Sequence, residues 1–167
     1  RPLRRRVHRP PADARLRAIG EDRLSIEVRP CRDLDEFRDA LGGIAHYFGW
    51  VPDEESSERF SRNLPVDRMH AIRLDGELAG GGGVFPFQLT VPGGRVPAGG
   101  VTVVGILPPY RRRGLLTALM RAQLDDMRGR GEHVAYLWAS DDRIYGRFGY
   151  GIASLTTSID VSRDHGG

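Results

Sequence analysis

Val101-Thr-Val-Val-Gly-Ile-Leu-Pro-Pro-Tyr-Arg-Arg-Arg-Gly-Leu-Leu-Thr117 is the stretch of sequence that decides the fold. Val101–Leu107 is an apolar run, as expected of a strand buried on both faces. Pro108-Pro109 ends it abruptly, because neither proline can donate a ladder hydrogen bond. From Gly114 to about Met127, the residues Leu115, Leu116, Leu119, Met120, Leu124 and Met127 recur on one side of a helix. Val134–Ala139 reads as the next strand. Strand, crossover helix and strand in that order imply a parallel pair within a mixed sheet.

Upstream, Leu24, Ile26 and Val28 alternate with polar neighbours, so Leu24–Arg29 is expected to be a strand that Pro30 stops. Asp33 stands before Glu36 as in a capping box, and Leu34, Phe37, Leu41, Ile44 and Phe48 give the following helix one apolar face. Asp53 is placed to cap a second, short helix through about Arg62. Met69–Leu74 reads as a strand, and Asp75-Gly76 is a hairpin signal. The return strand runs from Glu77 through Gly80-Gly81-Gly82-Gly83 to Phe87. Its four glycines imply a bulge, a bend or the close approach of a ligand. Pro92-Gly93-Gly94 and Ala98-Gly99-Gly100 are expected to bound a turn region. Downstream, the sequence predicts a short helix over Arg143–Phe148 and a last strand over Ile152–Val161. Residues 1–23 carry prolines among charges and no apolar period, so they read as a disordered or loosely attached leader to a single domain over 24–167.

The 167 residues suit one domain with a real core, at 40% hydrophobic and 28% charged residues. The single cysteine, Cys31, cannot form an internal disulfide. No apolar run approaches the roughly 20 residues of a membrane helix, and none follows the Arg-rich start as a secretory signal would require. The expected location is cytoplasmic, with no membrane partner. The formal net charge of +3 conceals a division: residues 1–17 hold seven arginines against Asp13 alone, leaving 18 basic and 21 acidic groups elsewhere. A slightly negative body points away from a nucleic-acid-binding surface. His46, His70 and His133 lack metal-ligand spacing, so no metal is expected.

A helix start leaves about four backbone N–H groups without partners, and the peptide dipoles add roughly half a positive charge there. Arg111-Arg112-Arg113 concentrates further positive potential on that point, and Gly114 lets a phosphate approach the backbone closely. The arrangement is an anion cradle. Its spacing is neither the G-x-x-x-x-G-K-[ST] of P-loops nor the G-x-G-x-x-G of dinucleotide folds.

Arg111-Arg112-Arg113-Gly114-Leu115-Leu116 resembles the pyrophosphate motif R/Q-x-x-G-x-G/A of the GNAT N-acetyltransferases. Leu116 departs from the usual small final residue, and R-R-R-G-L-L is common in the Eis-like (enhanced intracellular survival) branch of that family. Gln88-Leu-Thr-Val-Pro-Gly93 and Ala139-Ser-Asp-Asp-Arg-Ile-Tyr-Gly-Arg-Phe-Gly-Tyr-Gly151 resemble the same branch in order and spacing. The likeness covers about residues 77–155, is weaker over 24–76 and is absent over 1–23. It implies an α/β architecture, the GNAT acyl-CoA N-acyltransferase fold, with a mixed twisted sheet and helices on both faces. It also implies acetyl-CoA as co-substrate. Val104, Gly105 and Ile106 then match the strand that meets the acetyl and pantetheine part. Arg111, Arg112, Arg113, Gly114, Leu115, Leu116 and Thr117 match the pyrophosphate cradle, and Ser140 and Asp141 a second cofactor contact. Tyr145 matches the tyrosine that donates a proton to the departing CoA thiolate.

Acetyl transfer needs a carbonyl held beside an amine and a donor where oxyanion charge develops. A phenol with a pKa near about 10 suits protonation of the leaving thiolate. No covalent enzyme intermediate is required, and Cys31 lies far from the motif in sequence. Asp141 reads equally as a helix cap, and Tyr150 as packing. On the acceptor side the candidates are His46, Trp50 and Phe85, with Phe48 and Trp50 reading equally as core.

The resemblance implies a primary-amine acceptor: an aminoglycoside-like molecule, a polyamine or a lysine side chain. Eis-like proteins add a second GNAT-like domain and a sterol-carrier-like domain, form hexamers, and draw a general base from the far C-terminus. The 167 residues hold none of these. The expectation is therefore a fragment or shortened relative, or else a base supplied by water, an already neutral amine or a local carboxylate. Homo-oligomerisation stays open. The alternative is a CoA-binding regulatory or assembly module without turnover, and a third reading has the Arg-rich leader touching nucleic acid.

Overall fold

In the computed structural model, residues 24–45, 47, 49–155, 157 and 159 are described. Their elements are β1 (Ile26–Pro30), α1 (Leu34–Ala45), α2 (Glu54–Ser61), β2 (Met69–Leu74), β3 (Glu77–Val91), β4 (Gly94–Ile106), α3 (Leu115–Gly129) and β5 (Val134–Leu137). Single 3-10 turns occupy Val66–Arg68, Pro108–Tyr110, Asp142–Ile144 and Gly146–Phe148. The strands form one sheet in the order β1-β2-β3-β4-β5. Neighbours are antiparallel from β1 to β4, and β5 lies parallel to β4. The parallel pair is the one joined by α3, as the opening stretch of sequence implies.

Local signals place the ends of these elements. Asp33 accepts a hydrogen bond from the Glu36 amide at 2.8 Å and so starts α1. The Glu36 carboxylate turns instead to the Arg29 guanidinium, at 2.6 Å, which pulls its pKa down to about 2. Asp53 and Ser56 complete a full capping box on α2. Asp75 and Gly76 both take positive φ, 52° and 84°, the backbone of a type I′ hairpin turn.

Side chains alternate across the strands, so the sheet buries two separate apolar layers. Phe37, Leu41 and Ile44 of α1 pack with Leu64, Met69 and Ala71 on one face. Leu115 and Leu119 of α3 pack with Ile72 and Ile106 on the other, and Met120 and Met127 with Val84 and Val101. Each such side chain larger than Ala71 contributes roughly 1.5–3 kcal/mol on burial. Arg68 is buried with them, 2% exposed, and ties the C-terminal end of α3 to the sheet. Its guanidinium donates to Glu132 at 2.6 Å, to Asp126 at 3.4 Å and to the Val84 carbonyl at 3.1 Å. Paired on all sides, the charge is tolerable; with either acid removed it would be costly.

Several boundaries differ from the sequence reading, each for a physical reason. Pro30 closes β1 as its last residue, opposite His70, because an edge strand tolerates a proline. Ala98-Gly99-Gly100 is not a turn: β3 and β4 form one long hairpin about Pro92-Gly93. Gly99 and Gly100 are glycine because added Cβ atoms would lie 2.0 Å from Met127 Sδ and 2.5 Å from the Phe87 ring. Two bulges border the four-glycine run: Ala79 is the extra β3 residue where the β2–β3 register slips at Ile72/Arg73, and β4 carries the extra residue where the β3–β4 register slips at Gly81/Gly83. Gly80 has φ 153°, and a Cβ there would meet the Gly105 carbonyl oxygen at 2.2 Å. The helix expected over Arg143–Phe148 is two 3-10 turns, and β5 ends at Leu137, short of Ala139. No strand forms among the described residues of Ile152–Val161. The leader, 1–23, and the candidates His46 and Phe48 lie outside the described residues.

Candidate active site

The site begins where β4 and β5 part. β5 pairs with β4 only over Ala98–Val101, while β4 runs on to Ile106. Among the described residues, the β5-side edge of Thr102–Ile106 therefore has no strand beside it. Within this segment the register places Gly82 alone opposite Val103 and Val104, a bulge on β4. Val103 takes φ 43°, rare for a β-branched residue and worth roughly 1–3 kcal/mol of strain. The expectation of a strand buried on both faces holds only at its ends: Val101 and Ile106 are buried, and Thr102–Gly105 are half-buried.

After the Pro108–Tyr110 turn, Arg112 at φ 62° and Gly114 at φ 80° swing the chain into α3. No side chain caps this helix start, and the Ala118 amide bonds back to the Gly114 carbonyl at 3.1 Å. The preceding N–H groups point out of the helix end, as at any uncapped start. Gly114 sits at the helix cap with nothing within 4 Å of where a Cβ would be. An anion can reach the backbone there.

β4, the α3 start and the turns after β5 enclose a cavity of about 700 Å³. This is within the range of small-molecule sites. It gathers Val104, Gly105 and Ile106 with Arg111, Arg112, Gly114, Leu115, Leu116 and Thr117, and with Ser140 and Tyr145 from the opposite wall. Arg113 and Asp141 are not among its lining. Arg113 is exposed, and the Asp141 carboxylate is held by Arg143, whose Nε donates at 2.9 Å and whose backbone N–H donates at 3.2 Å. This is the helix-cap alternative for Asp141, and the same contact lowers its pKa. Three arginines and no carboxylate line the cavity, so its lining carries net positive charge.

Tyr145 closes the far wall. Its ring packs on the Val84–Met127 layer and meets Tyr150 edge-on at 6.0 Å between centroids. Burial pushes its phenol above the ordinary value, so it stays protonated at neutral pH. Its hydroxyl makes no hydrogen bond to the described residues. The Tyr150 hydroxyl is buried without a partner among the described residues and is pushed to about 12, first by burial and then by Tyr145. A larger hollow, about 1060 Å³, lies beyond Ser140 and Tyr145 along β5 and is lined by Tyr136, Trp138 and Leu155. Its lining arginine, Arg143, is accompanied by Asp141 and Asp142, and it lacks the helix start.

Four lining residues escaped the sequence reading: Tyr47, Tyr110, Ile144 and Arg147. The Tyr47 hydroxyl and Arg111 Nε both donate to the Ile106 carbonyl, at 3.0 and 3.2 Å, and the guanidinium stands 5.1 Å over the Tyr47 ring. Tyr47 lies just beyond the end of α1, in the aromatic stretch that yielded Phe48 and Trp50 as candidates. Periodicity alone could not choose among these rings. Trp50 and Phe85 do not reach the cavity; both pack on Phe60, with centroids at 6.3 and 5.9 Å. Cys31 is buried, and its thiol is pushed up to about 12, which leaves it protonated and inert.

A mixed sheet whose β4 and β5 splay beside an uncapped, arginine-flanked helix start defines an acyl-CoA transferase architecture. Residues 27–153 match the acetyltransferase (GNAT) domain, and the chain belongs to that family. It is 47% identical over 148 residues to an uncharacterized N-acetyltransferase of Streptomyces coelicolor, an alignment covering 84% of this chain and 36% of that protein. The N-acetyltransferase Eis of Mycobacterium tuberculosis is 37% identical over 115 residues, 65% of this chain and 28% of Eis. The crystal structure of Eis1 from Mycobacterium abscessus superposes with a TM-score of 0.66 at 42% identity, covering 77% of this chain and 32% of that one. The chain thus spans about a third of the length of the curated relatives it matches. Among the described residues, no helix is long and apolar enough to cross a membrane.

Proposed function

We propose that this domain transfers the acetyl group of acetyl-CoA to an amine by direct attack. The observation that carries the reading is the 700 Å³ cavity, which joins the open edge of β4, the α3 start and Tyr145 around three arginines and no carboxylate. Such a lining suits a ligand with an anionic end and a long amide-bearing arm, and suits few neutral metabolites.

Acetyl-CoA, when bound, supplies the activated acetyl group; this chain's residues position it. Unpaired backbone groups of Val104 and Gly105 would take the arm's amides, as a strand takes its neighbour. Because Tyr47 and Arg111 already donate to the Ile106 carbonyl, we assign the contacts at Ile106 to its other groups. The N–H groups of Leu115, Leu116 and Thr117, with Arg112, would hold the diphosphate. The Tyr145 phenol, kept protonated by burial, would give its proton to the departing sulfur.

Acceptor chemistry follows from the Eis relatives only as far as an amine. We propose a primary amine, of the aminoglycoside, polyamine or lysine type. A thiol-release assay with a broad panel of such amines tests the reading. We expect CoA release that depends on both substrates. Acetyl-CoA binding with no release for any amine would replace the enzyme by a CoA-binding module.

A further inference from the structure

We infer that Arg147 receives a phosphomonoester, the 3′-phosphate of CoA, and makes the cavity selective for CoA over its dephospho form. The inference rests on the cofactor reading above and deepens it. CoA carries two separate anionic groups, the diphosphate and the phosphate on its ribose. The α3 start and Arg112 account for one of them. A cation on a different wall, Arg147, is available for the other.

The segment after β5 offers two arginines, and they are in opposite states. Arg143 is neutralised: its Nε and Nη2 grip both oxygens of Asp141, at 2.9 and 3.1 Å. Arg147 has no carboxylate partner among the described residues, and it lines the cavity. Its guanidinium stands 4.9 Å over the Phe148 ring, a cation–π contact that limits its sweep without satisfying any of its donors. The backbone beneath it is pinned, with the Phe148 amide bonded to the Tyr145 carbonyl at 2.9 Å and the Gly149 amide to the Gly146 carbonyl at 3.1 Å. A planar fork with free donors is suited to a terminal phosphate.

Calorimetric titration of the domain with CoA and with dephospho-CoA tests the assignment on wild type, Arg147→Ala, Arg147→Lys and Arg112→Ala. The wild type should prefer CoA by roughly tenfold, as for one charge-assisted contact. Arg147→Ala should lose that preference while binding dephospho-CoA as the wild type does, which also reports its fold. Arg147→Lys should retain part of the preference. Arg112→Ala should weaken both ligands alike and keep their ratio. A preference that survives in Arg147→Ala, or equal weakening of both ligands by that variant, would overturn the assignment while leaving the cofactor reading intact. Failure of the wild type to bind either ligand would overturn both.

Discussion

The two walls of the cavity are built by opposite means. The β4–α3 wall is made of paired strand and helix, with its shape fixed by backbone packed against backbone at Gly80 and Gly105. The wall after β5 is made of two 3-10 turns, carries its chemistry on the side chains Tyr145 and Arg147, and leaves Gly146 with nothing within 4 Å of an added Cβ. In the proposed reading the first wall would hold the cofactor by main-chain donors, which among substitutions only proline can delete. The second would hold it by side chains that can be exchanged one at a time. Rigidity and tunability are therefore divided between the walls, and substitutions should register differently on each.

The largest contrast should come from alanine at two glycines. Gly80→Ala forces a Cβ to within 2.2 Å of the Gly105 carbonyl oxygen, at a φ of 153° that side chains disfavour. It should cost roughly 3 kcal/mol or more, whereas Gly146→Ala should stay within about 0.5 kcal/mol. Thermal unfolding reads both; equal losses would dissolve the distinction between the walls.

Next in size is Tyr145→Phe, which should lower the turnover rate about 100-fold while leaving acetyl-CoA affinity nearly unchanged. CoA release at the wild-type rate would remove Tyr145 from the chemistry. Smaller again is the split between two adjacent arginines. Arg112→Ala, in the cavity lining, should weaken acetyl-CoA binding roughly tenfold, and Arg113→Ala, outside it, about twofold or less. Equal effects would mean that bulk positive charge, not position, does the binding.

The smallest effect lies at the β1–α1 junction, on the structured side. The Arg29 guanidinium draws the Glu36 carboxyl from its ordinary 4.5 down to about 2. A lowered carboxyl contributes stability above its ordinary value and loses it as pH falls from about 4.5 towards 2. Glu36→Gln should therefore flatten that part of the acid-unfolding curve, as followed by circular dichroism. An unchanged curve would show the pair to be idle.

The same division explains what the sequence made legible. The β4–α3 wall is written in local signals: an apolar run, a Pro-Pro stop, arginines, a glycine and an amphipathic helix. The site candidates read from it between Val104 and Thr117, apart from Arg113, converge on one cavity. The hairpin at Asp75-Gly76 and the caps at Asp33 and Asp53 are equally local. Gly99 and Gly100 misled because their cause is tertiary, since Met127 and the Phe87 ring occupy the space. Tyr47 and Arg147 escaped for a related reason. A tyrosine beyond a helix end and an arginine in a turn carry no periodic mark, and only their neighbours in space reveal them. The expectation for Ile152–Val161 rested on composition alone, with no partner strand specified.

The central claim is that the cavity between the β4 edge and the α3 start takes acetyl-CoA, and calorimetric titration of acetyl-CoA into the wild type and into Arg112→Ala tests it most directly. Saturable one-to-one binding, weakened roughly tenfold in the variant, is the expected result. No binding to the wild type, or equal affinity in the two proteins, would contradict it.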